Sequence, residues 1–195
     1  LSEERRAVFL GGLCVIAAVF TQLDLSELKV SDYAMREGIL YDLIGRSRHE
    51  DPREGSVKKL AKRYGIDQAQ EKRVWRTLTA LFDQVRERWE LSEIDRETLS
   101  FATRLHEIGL AIAHSQHHQH DAYIVRHTDL PGFSRQEQER LAVLVGAHRR
   151  SLGGSTLAGV SDLERPHLCR LLTLLRLAIL LNRSRDEDPP EVFQL

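Results

Sequence analysis

The chain has little of what would tie it to an oxidising compartment, a membrane or a polyanion at large. Only two of its 195 residues are cysteine. That is too few for a disulfide framework, and Cys14 and Cys169 both fall in apolar, helix-patterned stretches, where reduced thiols sit as small hydrophobes. A bulk field of either sign is also missing. Twenty-eight Lys and Arg stand against 29 Asp and Glu, a net charge of -1, so nothing draws the whole molecule to nucleic acid or an anionic membrane, and a polyanion must be met by a local patch. No stretch reads as a membrane span, and no secretory leader is expected at the opening LSEERR. Leu rather than Met stands first, which predicts a piece of a longer protein. These absences predict a cytoplasmic protein with no nucleic-acid partner.

What is present is a soluble, core-forming composition, 42% hydrophobic and 29% charged, sufficient for one or two domains. The charge is patterned. Residues 46–76 hold ten Lys/Arg against five acids, residues 165–185 five Arg and no acid, and residues 80–100 six acids against three Arg. Histidine is more concentrated still: seven of the nine lie in residues 105–150. Imidazole is either a neutral metal ligand or a cation near physiological pH, so such clustering points to a metal or phosphate site, or else to a polar loop between helices.

In chain order, residues 1–45 read as an α/β fragment. A polar opening meets the pair Gly11-Gly12, which would punctuate the chain and let backbone approach a ligand. An apolar helix LCVIAAVFTQL, a short strand LKV and a helix AMREGILYDLIG follow. Residues 46–55 carry charge and Pro52 and read as a linker. Beyond them everything is helical. Ser56 is placed as the cap of VKKLAKRY, which Gly65 ends; Asp67 with Gln70 opens a helix to Trp89; Asp95 is placed as the cap of RETLSFATRLHEIGLAIA. A histidine loop, a short helix DAYIVRHT, a turn at Pro131-Gly132 and a capping box Ser134/Glu137 come next. Ser161/Glu164 or Pro166 starts the last helix, HLCRLLTLLRLAILL, whose apolar surface predicts the central element. Residues 186–195 read as the start of a further segment.

LHEIG near one helix end, a later helix ending in His148 and the apolar last helix together resemble the HD-domain phosphohydrolases. There a His, a His-Asp pair and a later Asp chelate a metal that activates water. The pair here is His106-Glu107; Ile179 stands where the later Asp would be, and the helix from Asp67 to Trp89 has no His. The resemblance thus implies no metal held at these positions.

A longer resemblance covers nearly the whole chain. AVFLGGLCVIAAVF, LKVSDYAMREGILYDLIGR, RLHEIGLAIAHSQHHQHDAYIVRHTDLPGFSRQEQERLA and LLRLAILLNRSR look like the C-terminal half of exopolyphosphatases of the Ppx/GppA family, whose relatives hydrolyse guanosine pentaphosphate. It implies a mainly α chain: an HD-like helical domain at 56–185, preceded at 1–45 by the end of an actin- and sugar-kinase-like catalytic lobe, with Gly11, Gly12, Arg36, Glu37, Gly38, His106 and Glu107 at motif positions. It implies a homodimer, inorganic polyphosphate as substrate and Mg²⁺ for the full-length enzyme, with catalytic groups before Leu1 and no cofactor within the chain itself. A phosphate chain carries dense charge that repeated cationic groups bind without register. His117, His118, His120, Arg149 and Arg150 are the candidates for its path, with Lys58, Lys59, Lys62 and Arg63 as a second basic surface or a merely solvated helix face. Three other readings stay open: part of a guanosine pentaphosphate phosphohydrolase, a metal phosphohydrolase using His106, Glu107 and His148, and a pure interaction module.

Overall fold

The computed structural model describes residues 3–27, 51–150, 157, 160–161 and 163–186. It divides into two compact units, 1–32 and 33–195, described separately. The first is helix α1, Glu3–Leu23, a single uninterrupted helix. Gly11 and Gly12 lie in mid-helix, where an added Cβ would meet nothing, so the expected glycine punctuation does not occur. Two glycines cost a helix about 2 kcal/mol relative to alanine. The strand and helix expected over 28–45, with Arg36, Glu37 and Gly38, lie outside the described residues, as do 187–195.

The second unit is helical wherever it is described: α2 Pro52–Arg63, α3 Gln68–Val85, α4 Glu93–Leu105, a 3₁₀ turn Ile108–Ala111, α5 His117–His127, α6 Arg135–Ala147 and α7 Arg165–Leu181. The helical domain therefore begins before residue 56. Asp51, not Ser56, caps α2, accepting from the Arg53 N–H at 2.8 Å with Pro52 in the first turn. Ser56 is buried inside the helix and donates its hydroxyl to the Pro131 carbonyl at 2.7 Å. Gly65, at φ +63°, ends α2 as expected, a left-handed residue that glycine adopts without strain. Asp67 caps α3, but the Gln70 side chain turns to the Asn182 carbonyl instead of closing a box. α4 is capped by Ser92 with Asp95 at its third position, one box earlier than the sequence placement. Ser134 and Glu137 form the expected box on α6.

The core is continuous, from Val57 through Leu78, Phe82, Leu99, Leu105, Leu144 and Leu171 to Ala178. α4 is the element surrounded by α2, α3, α6 and α7. α7 packs on α3, α4 and α6 through Leu168, Leu171, Leu172, Leu174, Leu175 and Ala178, yet Arg170, Thr173 and Leu180 remain exposed. The expectation of the last helix as the central, most buried element is thus corrected, since α4 holds the centre, and the surplus apolar residues of α7 form the wall of a cleft. Arg53 ties three helices together, reaching Asp51 at 2.7 Å, Glu97 at 2.8 Å and Glu137 at 3.1 Å.

Candidate functional site

The cleft, about 880 Å³, opens where the ends of α4, α6 and α7 meet the first turn of α5. Its apolar wall is Leu110, Leu177, Ile179 and Leu180; its polar lining is Gln70, His106, Glu107, His114, His117, His148, Arg149, Arg150, Thr173, Arg176, Arg183 and Arg185. Five arginines therefore face one carboxylate. That carboxylate, Glu107, is met by Arg185 at 2.6 Å, and Arg185 also reaches Asp67 at 2.7 Å. Arg176 donates to the Ala147 carbonyl at 3.1 Å and the Arg150 carbonyl at 2.5 Å, covering the end of α6. Arg150 and Arg183 make no ion pair among the described residues.

Below the arginines lies a nest of imidazoles. His106 follows the last residue of α4 and His148 the last of α6, and each points Nδ1 back to a carbonyl one turn earlier, Thr103 and Val145, both at 2.6 Å. The carbonyls fix Nδ1 as the protonated nitrogen, leaving Nε2 as a lone pair. His106 Nε2 is buried without a partner, as is His118 Nδ1. His117, in the first turn of α5, contacts Asp121 one turn on, Nδ1 to Oδ2 at 3.2 Å, and Arg149 donates to its Nε2. Asp121 is wholly buried and accepts the Gly109 N–H on its other oxygen at 2.5 Å. The 3₁₀ turn sits so close to α5 that a Cβ on Gly109 would lie 2.8 Å from the Asp121 nitrogen; only glycine fits there.

Burial decides the charge of this nest. It pushes His106 and His118 below the ordinary imidazole range and His148 well below it, with neighbouring histidines adding to the effect in each. Burial and then Arg149 do the same to His117. Burial pushes the Asp121 carboxyl up to about 9 against the opposing Gly109 N–H. The buried histidines are thus neutral at neutral pH, and positive charge in the cleft comes from arginine.

The sequence candidates are divided by this geometry. His117, Arg149 and Arg150 line the cleft, with His106 and Glu107. His118 is buried behind it and His120 is half-buried outside the lining. His117, His118 and His120 form the first turn of α5 and are not a loop. Lys58, Lys59, Lys62 and Arg63 are exposed on α2 and do not line the cleft. Asp121, Arg176, Arg183 and Arg185 were missed. Asp121 lies four residues after His117, a spacing that puts both on one helix face, and the arginines belong to the acid-free stretch 165–185. Glu107, tied to Arg185, points away from the role of a metal partner to His106.

The described residues of the second unit thus form an all-helical domain with an arginine-lined cleft. Residues 53–193 match Ppx/GppA phosphatase, domain III, and residues 1–47 match the Ppx/GppA phosphatase family; the chain belongs to that family. It is 34% identical over 191 residues, 96% of its length, to a guanosine-5'-triphosphate,3'-diphosphate pyrophosphatase of Pseudoalteromonas translucida. It is 33% identical over its full length to a protein of the same name from Photobacterium profundum. The chain spans 38% and 39% of those two relatives. Among the described residues no helix is long and apolar enough to cross a membrane.

Proposed function

We propose that this chain is the phosphate-gripping portion of a cytoplasmic, homodimeric phosphohydrolase that releases a terminal phosphate from a phosphoanhydride chain. The carrying observation is the arginine-lined cleft: Arg149, Arg150, Arg176, Arg183 and Arg185 around a single carboxylate. Arginine suits phosphate because its planar fork donates in pairs and stays charged at any working pH. In the reaction, water attacks the terminal phosphorus, the anhydride P–O bond breaks, and orthophosphate leaves with the shortened chain. The groups that activate this water, and the Mg²⁺ that would screen the phosphates, are assigned to the part of the parent outside this chain. The nest of neutral imidazoles does not fit Mg²⁺, which takes oxygen ligands.

Two substrates are supported by different features. The names of both relatives support guanosine pentaphosphate, and the wall of Leu110, Leu177, Ile179 and Leu180 gives a base an apolar surface. Arginines spread over three chain segments support inorganic polyphosphate, which needs repeated cationic contacts and no base pocket.

The test is anisotropy binding of labelled long-chain polyphosphate over a salt series, with guanosine pentaphosphate as competitor. Arg149→Ala/Arg150→Ala/Arg183→Ala should weaken binding at every salt concentration and flatten the log–log salt slope by roughly 0.7–0.9 for each phosphate that is no longer neutralised. Lys58→Ala/Lys59→Ala/Lys62→Ala should bind as wild type does. The reverse pattern would move the phosphate path to the exposed face of α2, and no binding by wild type would sink the reading. Sedimentation of the full-length parent tests the dimer.

A further inference from the structure

We propose that His117, Asp121 and His148 form a transition-metal site in the floor of the cleft, of the zinc type. The side-chain ligand atoms of these three residues all lie within 4.8 Å of one another, and all three residues are buried. The His117 and His148 rings stand 5.4 Å apart, and His106 approaches His148 edge-on at 5.5 Å. His148 also stands in the metal-phosphohydrolase reading of the sequence; His117 and Asp121 do not, and Glu107 of that reading is paired to arginine.

Three independent features point to a cation. First, Asp121 is fully buried, and among the described residues no lysine or arginine pairs with it; its oxygens meet only the Gly109 N–H, His117 and, at 4.0 Å, His148. A carboxyl so buried is neutral until a positive partner displaces its proton, and a metal ion held with the neighbouring imidazoles is such a partner. Second, His148 and His106 each spend Nδ1–H on a backbone carbonyl, as metal-binding imidazoles do, which leaves Nε2 as the nitrogen with a free lone pair. Third, the Nε2 of His106 is buried and unpartnered beside the group, a polar atom whose desolvation nothing in the protein repays. Two imidazoles and a carboxylate suit zinc or a neighbouring first-row metal and leave one coordination position. His117 and His148 both line the cleft, so that position is accessible to a phosphate oxygen or a water. Metal binding itself does not rest on the phosphate reading.

The experiment uses the full chain, stripped with chelator and dialysed, then titrated with Zn²⁺ by calorimetry, with bound metal counted by elemental analysis and Co²⁺ substituted as an optical probe. Wild type should take one equivalent, and its Co²⁺ form should show the intense visible bands of a four-coordinate site. His148→Ala and Asp121→Asn should each weaken binding by more than the roughly 10–100-fold that outer partners are worth. His127→Ala, an exposed histidine of the same helix as His117, should leave binding unchanged. No stoichiometric metal in wild type, or equal binding by wild type and His148→Ala, overturns the site. So does a loss in His127→Ala as large as in the other two, which would mark surface adsorption. Should His148→Ala lose its helical circular dichroism, the Co²⁺ spectrum of wild type decides alone: weak, six-coordinate bands refute the site.

Discussion

Replacing Gly109 by alanine should damage the domain far more than one methyl group suggests. The added Cβ would lie 2.8 Å from both the backbone nitrogen and Oδ1 of Asp121, and closer still to the His117 carbonyl, where ordinary contact begins at 3.4 Å. Two of these three neighbours are backbone of the first turns of α5 and cannot swing aside as a side chain could; the 3₁₀ turn and α5 must separate by about 0.6 Å at the Asp121 nitrogen and by more at the His117 carbonyl. Overpacking of this kind costs about 1–3 kcal/mol. The same separation stretches the Gly109 N–H bond to the buried Asp121 carboxyl, worth about another 1–3 kcal/mol. Together roughly 2–6 kcal/mol is expected, a fall in Tm on the order of 10 °C. Gly55 is the internal control. It lies within α2, exposed, with nothing within 4 Å of an added Cβ, so Gly55→Ala should stabilise by about 0.5–1 kcal/mol. Urea unfolding followed by circular dichroism measures both. A Gly109→Ala protein within about 0.5 kcal/mol of wild type, or two variants moving in the same direction, would refute the close seating of the turn on α5.

Leu175→Ala and Leu172→Ala, at positions 0% and 1% exposed in α7, should each cost about 2–5 kcal/mol in the same assay; a change below about 0.5 kcal/mol at both would count against burial of that face. Asp95 predicts an acid-sensitive contribution. Burial alone would raise its carboxyl, but the His167 ring at 2.7 Å and the Ser92 hydroxyl and N–H outweigh this and leave it below the usual range. A depressed carboxyl stabilises the fold above its unfolded pKa of about 4 and loses that contribution as pH falls through it. The stability gap between wild type and Asp95→Asn should therefore be full at pH 6 and shrink towards pH 3; a constant gap would show that the charge of Asp95 is irrelevant.

The helices that carry their own start signals were legible. Asp67 and Ser134 stand one residue before α3 and α6, and the apolar spacing of Val74, Leu78, Leu81 and Phe82 gives the buried face of α3. The start of α4 was misplaced because Ser92 and Asp95 are both good caps, and the box they form uses Asp where Glu or Gln is the usual reciprocal partner. α5 was read as beginning late because it has no capping side chain: Gln116 precedes it in the left-handed region, at φ 58°. Nothing local marks that start, so two buried histidines passed for loop. The cleft was only half visible. The acid-free arginines of the last helix could be counted, but the Arg185 contacts with Glu107 and Asp67 join residues 78 and 118 positions apart, which only tertiary packing creates. Gly11-Gly12 misled in the opposite sense, since a glycine pair breaks a helix only when its flanks do not insist on one.

The far end of α5 is finished by another helix. The Gln138 amide, on α6, donates to the carbonyls of Val125 and Thr128, each at 2.7 Å, and to that of Arg126 at 3.4 Å. α5 thus has a start without a side-chain cap and an end that exists only when α6 is in place. An 11-residue segment of this kind is too short to nucleate by itself, so its helicity is borrowed, and α5 and α6 open and close as one cooperative unit. His117, Asp121 and His148 sit on the two members of that unit. The nest they form therefore depends on both members being in place at once.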